Sequence, residues 1–220
     1  MLRNNQKNTI QPDLVQILQN HCPTGSDTLL QSWLQNRHVI IRISRDRISK
    51  LGDFRSAQNG SPARITINKG LSQIEFLVTL AHELAHQDTY RAKGIRQRWN
   101  RKRVLPHGVE WKEAFRRYIV EIIESGLVEE EVNEALRKCY LKRERIATSP
   151  CMELKRLIES DLEKEILRVY DLEEGEKFVL SSERIFIRGI KLRTRYRCQE
   201  VKTGKVYTIH GLATVVKKLV

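Results

Sequence analysis

Apolar residues recur at helical spacing through the middle of the first half of the chain. Ile74, Leu77, Leu80, Ala81, Leu84 and Ala85 fall on one side of a 3.6-residue repeat. Ser72 and Glu75 stand just ahead of this run as S-x-x-E, a capping box, and Gly94 is a plausible C-cap, so the pattern predicts a helix over residues 72–93. The same periodicity predicts helices over residues 12–20, 26–35, 109–125 (closed by Gly126) and 127–141. Residues 39–43 are rich in β-branched side chains and residues 64–68 alternate with Ile65 and Ile67 inward, so both read as strands. Ala147-Thr148-Ser149-Pro150 breaks the pattern, and residues 152–167 are amphipathic. After Gly175 the period switches to two, over 178–180, 184–188, 196–198 and 206–209, with Lys202-Thr203-Gly204-Lys205 as a hairpin signal. These elements predict an α+β chain in three parts: helices and strands over 1–145, a linker with an amphipathic helix over 146–175, and a small all-β unit over 176–220.

The central helix carries chemistry. His82-Glu83-Leu84-Ala85-His86 reads H-E-x-x-H. Residues i and i+4 share one helix face, so two imidazoles so placed can bind one Zn²⁺. The glutamate between them can take a proton from water that the metal activates. Both histidines sit beside the apolar stripe, where unbound imidazoles would be costly to desolvate. The motif therefore predicts a zinc hydrolase with Glu83 as the catalytic base and His82 and His86 as metal ligands.

A catalytic zinc usually takes a third protein ligand and keeps one position open. His107, in Pro106-His107-Gly108 at the entrance to the next helix, is the favoured candidate. Glu110 and Glu113 are its rivals, since a His₂Glu set also serves such sites.

The stretch His107-Gly108-Val109-Glu110-Trp111-Lys112, taken with the H-E-x-x-H helix, resembles the SprT-like zincin family, which shows an H-G-x-x-W-K stretch after its metal helix. Arg45 to Arg55, which includes Lys50-Leu51-Gly52, and the strand Arg64-Ile65-Thr66-Ile67-Asn68 are similar to that family too. The resemblance covers roughly residues 10–125 and implies His107 as the third ligand, one Zn²⁺ per chain and a minimal zincin layout, a small sheet backed by helices. It also implies a metallopeptidase acting on protein or peptide, since the family includes proteases that cleave DNA-crosslinked proteins. Relatives often end in a zinc ribbon with two C-x-x-C pairs. Here Cys198 stands alone at such a position, so the C-terminal unit resembles a ribbon that has lost its cysteines.

Charge adds a partner. The 220 residues carry a net charge of +13, which favours polyanions, nucleic acid first. Arg91, Lys93, Arg96, Arg98, Arg101, Lys102 and Arg103 form a basic run between the metal helix and His107. A second run, Arg184, Arg188, Lys191, Arg193, Arg195 and Arg197, interleaves with Phe186, Tyr196 and Tyr207, a pattern suited to phosphate contacts with base stacking. The expected nucleic-acid contacts are the first run together with Arg193, Arg195 and Arg197. Cys22, Cys139, Cys151 and Cys198 form no C-x-x-C pair and read as free thiols. No apolar run approaches a membrane span and the N-terminus has no apolar signal core, so a cytoplasmic location is expected, one that leaves room for association with the nucleoid. The expected function is a nucleic-acid-associated zinc metalloendopeptidase. The alternative is a non-catalytic or weakly catalytic zinc-containing DNA-binding or transcription-associated factor.

Overall fold

The computed structural model describes residues 12–45, 50–58, 60–96, 105–142, 151–160 and 167–219. The chain divides into two compact units, residues 1–149 and 150–220. Both are mixed in character, and their described residues form helices and two sheets.

In the first unit, α1 (Pro12–Gln19) and α2 (Asp27–Leu34) precede three short strands, β1 (Val39–Ser44), β2 (Gly52–Arg55) and β3 (Ala63–Asn68). Their order is β1-β3-β2, with β1 parallel and β2 antiparallel to β3. The central strand turns Ala63, Ile65 and Ile67 inward, all buried, and sends Arg64 and Thr66 the other way. The sheet packs on the long helix α3 (Gln73–Arg96), which also packs on α4 (Val109–Glu124). The Ser72–Glu75 capping box forms: Ser72 Oγ accepts from the Glu75 amide at 3.3 Å, and the Ser72 amide donates to Glu75 Oε2 at 3.2 Å. The helix does not stop at Gly94 but continues to Arg96. One glycine costs only about 1 kcal/mol within a helix, whereas each fully buried leucine such as Leu77, Leu80 or Leu84 contributes about 1.5–3 kcal/mol. Gly126, with φ +69°, does end the neighbouring helix as expected.

The predicted helix over 127–141 is shorter and changes pitch. It becomes α5 (Glu130–Leu136) and then a π-helical turn, Arg137–Leu141. That turn buries Tyr140, whose ring meets Phe115 of α4 edge-on at 5.2 Å. The strand β2 was not foreseen.

Among its described residues the second unit contains α6 (Met152–Ser160), a single 3₁₀ turn (Val169–Asp171) and five antiparallel strands. These are β4 (Lys177–Val179), β5 (Ile185–Lys191), β6 (Arg195–Glu200), β7 (Val206–His210) and β8 (Lys217–Leu219), in the order β7-β6-β5-β4-β8. Val169, Leu172, Phe178, Phe186, Tyr196, Cys198 and Val215 form its core. Val169 and Leu172 lie inside the segment expected as linker and helix, so that stretch supplies core residues as well as a connection. The hairpin at 202–205 forms, with Gly204 at φ +68° and its amide donating to the Glu200 carbonyl at 2.9 Å.

Cys22 and Cys198 are free and buried. Cys139 and Cys151 are disulfide-bonded, which corrects the expectation of four free thiols. Spacing along the chain does not reveal that state. Among the described residues no helix is long and apolar enough to cross a membrane.

Candidate metal centre

The motif helix presents His82 and His86 one turn apart, with ring centroids 5.0 Å from each other. His107 reaches them from the turn before α4. The Gly108 amide donates to the Leu105 carbonyl at 3.0 Å, and His107 itself adopts φ +60°. That left-handed conformation is uncommon for a residue with a side chain, and such strain clusters at functional sites. Its ring lies 5.2 Å from His82 and 4.7 Å from His86, and Nε2 of His107 is 3.3 Å from Nε2 of His82. Among the described residues these three histidines form a group whose ligand nitrogens all lie within 4.8 Å of one another, close enough to hold one metal ion. The rivals Glu110 and Glu113 are exposed and stand outside the group.

Burial prepares the rings for a cation. Desolvation, with help from the neighbouring imidazoles, pushes the pKa of His82 down to about 3 and that of His86 down to about 4. Desolvation lowers His107 as well. All three are therefore neutral at pH 7, the form that ligates a metal.

Trp111 braces the cluster. Its ring lies 4.6 Å from His82, 5.4 Å from His86 and 4.5 Å from His107, and its indole N–H donates to the His82 carbonyl at 3.3 Å. It is 1% exposed and stacks on Phe115. From β2, Phe54 lies nearly parallel to the His86 ring at 6.4 Å. Glu83 is buried at 5% exposure and packs against Gly52, also of β2. Composition within β2 hides this contribution: Gly52-Asp53-Phe54-Arg55 has no β-branched residue, and only its pairing with β3 makes it a strand.

Tyr90 and Arg91 of α3 and Tyr118 of α4 carry donors of the kind a developing oxyanion needs. The structure commits the Tyr118 hydroxyl elsewhere. It donates to Asp88 Oδ2 at 2.6 Å and accepts from Arg37. The Tyr90 hydroxyl donates to the Ala57 carbonyl at 3.3 Å, and Arg91 is exposed.

The basic residues divide. Arg91 is exposed, Lys93 and Arg96 lie on the last turns of α3, and Arg98, Arg101, Lys102 and Arg103 lie outside the described residues. Arg193, Arg195 and Arg197 are exposed. Two of the three aromatic rings expected to stack on bases are not offered to solvent, and Tyr207 is half-buried against the same core. Phe186 and Tyr196 are 2% and 3% exposed and belong to the core of the second unit. Arg184 and Arg188 stack on that side too. Arg184 lies 4.5 Å over Tyr207 and 5.1 Å over Phe186 and donates to Glu200 at 2.5 Å, while Arg188 lies 4.4 Å over Tyr196.

Comparisons of this chain with protein-family models, with curated proteins and with solved structures find no match, so its own residues are what define the site.

Proposed function

We propose that the chain is a zinc-dependent metalloendopeptidase of the SprT-like type, with a minimal zincin layout, acting with nucleic acid on DNA-bound or DNA-crosslinked proteins. The convergence of His82, His86 and His107 beside the buried Glu83 carries this reading. Two nitrogens at about 2.0–2.1 Å from a tetrahedral ion lie about 3.3 Å apart, and Nε2 of His82 and Nε2 of His107 have that separation. Three neutral imidazoles with no thiolate suit zinc. Bound there, Zn²⁺ supplies a Lewis acid that polarises a carbonyl and lowers the pKa of water.

The chain's own groups do the rest. The Glu83 carboxylate takes the proton of the attacking water as its oxygen bonds to the scissile carbonyl carbon, and returns a proton to the leaving amine nitrogen as the C–N bond breaks. Among the described residues β2 pairs only with β3, which leaves its other edge for an extended peptide. Nucleic-acid association is supported by the net charge and by exposed Arg91, Arg193, Arg195 and Arg197. Those arginines alone would equally suit a zinc-containing DNA-binding factor without turnover. The buried carboxylate one position along from His82 favours the hydrolase.

Elemental analysis of protein purified without added metal tests the centre. About one zinc per chain is expected in wild type and Glu83→Gln, and its loss in His107→Ala. Cleavage of a DNA-bound protein should fall about 10²–10⁴-fold in Glu83→Gln. Zinc-loaded wild type that binds DNA and cleaves no protein would establish the binding factor instead.

A further inference from the structure

The strand least expected from the sequence is the one that lies against the proposed base. Gly52 opens β2 and pairs with Ile67 of β3. Its backbone is not left-handed, so conformational freedom does not account for a glycine here. Space does. A Cβ at position 52 would lie 2.6 Å from Oε1 of Glu83, 2.9 Å from its Cγ and 2.8 Å from Cγ2 of Thr79. All three distances are well inside the roughly 3.5–4.0 Å of ordinary contact. We propose that Gly52 is a positioning residue for Glu83: the missing side chain leaves the room in which the carboxylate lies against the β2 backbone beside the three histidines. This rests on the reading of Glu83 as the base.

The crowded atoms differ in how they can yield. Glu83 Oε1 ends a flexible side chain and can swing away by rotation about its side-chain bonds. Thr79 Cγ2 belongs to a stiff β-branched side chain, 7% exposed, and can only give way with its helix. A methyl group at position 52 therefore displaces the carboxylate, which acts on chemistry, and presses on α3 through Thr79, which acts on stability; substitution at Thr79 separates the two. Misplacing a reacting group by about 1 Å costs roughly 10²-fold.

The full-length chain carrying Gly52→Ala is compared with wild type, with Glu83→Gln and with Gly52→Ala/Thr79→Ser. The single variant should keep its zinc, with kcat lower by about 10²-fold and KM little changed. Thr79→Ser removes only the Cγ2 contact, so the double variant should regain melting temperature and stay slow; it also serves if the single variant folds poorly. In Co²⁺-loaded protein, the visible spectrum of Gly52→Ala should depart from wild type in the manner of Glu83→Gln. Wild-type turnover in Gly52→Ala, turnover restored by Thr79→Ser, or zinc lost together with turnover would each overturn the assignment. If zinc-loaded wild type hydrolyses no peptide bond, the hydrolase reading fails by itself. The cobalt spectrum still decides the role of Gly52, which a wild-type-like spectrum in Gly52→Ala would refute.

Discussion

His82 and His86 owe their meeting to the helical repeat alone, and this is why the pair was legible in the sequence. His107 joins them across 21 positions by way of a left-handed turn, which no periodicity encodes; its place at the entrance to the next helix favours it, and the resemblance of His107-Gly108 to a family motif sets it above Glu110 and Glu113. The burial that makes these rings good ligands has a stability consequence. The imidazoles titrate near 6.5 when unfolded, whereas His82 and His86 in the fold titrate at about 3 and about 4. Between those values and 6.5 the unfolded chain binds more protons than the folded chain. Stability therefore rises with pH through that window and is lost as pH falls through it. Metal-stripped protein should melt at a progressively lower temperature as pH drops from about 7.5 to about 5, and the dependence should flatten in His82→Leu/His86→Leu. A melting temperature that holds constant over this range would mean that the rings carry protons in the folded chain.

Helices were the legible elements because each buries an apolar stripe whose period survives in the sequence. What holds them in register was not legible. Arg37 follows α2 in Asn36-Arg37-His38, which reads as a polar loop, yet its side chain is only 11% exposed. It donates to both carboxylate oxygens of Asp88 on α3, at 2.5 and 3.2 Å, to Gln87 at 3.2 Å and to the Tyr118 hydroxyl on α4. Beside it the Trp33 indole N–H donates to Glu121 of α4 at 2.5 Å. One guanidinium thus joins α2, α3 and α4 close to His86, and its fork suits a bidentate carboxylate where lysine would not. Removing one partner of this part-buried pair leaves the other without its charge-assisted hydrogen bonds, at a cost of about 1–3 kcal/mol. Chemical denaturation should show Arg37→Met losing about 2 kcal/mol, and Arg37→Met/Asp88→Leu losing less than the sum of the two single losses. Additive losses would mean that the two side chains do not act as a pair. β2 escaped prediction for a related reason: its four residues become a strand through β3, a partner outside their own sequence.

Across the whole molecule, the excess of positive charge was legible and its arrangement only partly so. Reading Arg and aromatic residues as interleaved overlooks that a strand sends alternate residues to opposite faces. Along β6, Tyr196, Cys198 and Glu200 are buried while Arg195, Arg197 and Gln199 are exposed, so the Tyr196 ring cannot serve as a stacking platform beside those charges. Any polyanion held by this face is therefore gripped through its phosphates, without base stacking on Phe186 or Tyr196. Each phosphate contact removed lowers the slope of log affinity against log salt by about 0.9 on duplex DNA. Arg195→Gln/Arg197→Gln should weaken binding to duplexes of unrelated sequence alike and reduce that slope by roughly two. Arg184→Gln should behave differently, because its guanidinium is engaged by the buried Glu200 and by Tyr207 and Phe186. It should lower the melting temperature of the second unit and leave the salt slope of the folded chain unchanged. Titration of fluorescent duplexes at several salt concentrations, run beside thermal melts of the same variants, separates the two effects. An unaltered slope in the Arg195/Arg197 variant would remove this face from the nucleic-acid reading and leave the charge near Arg91 to account for it.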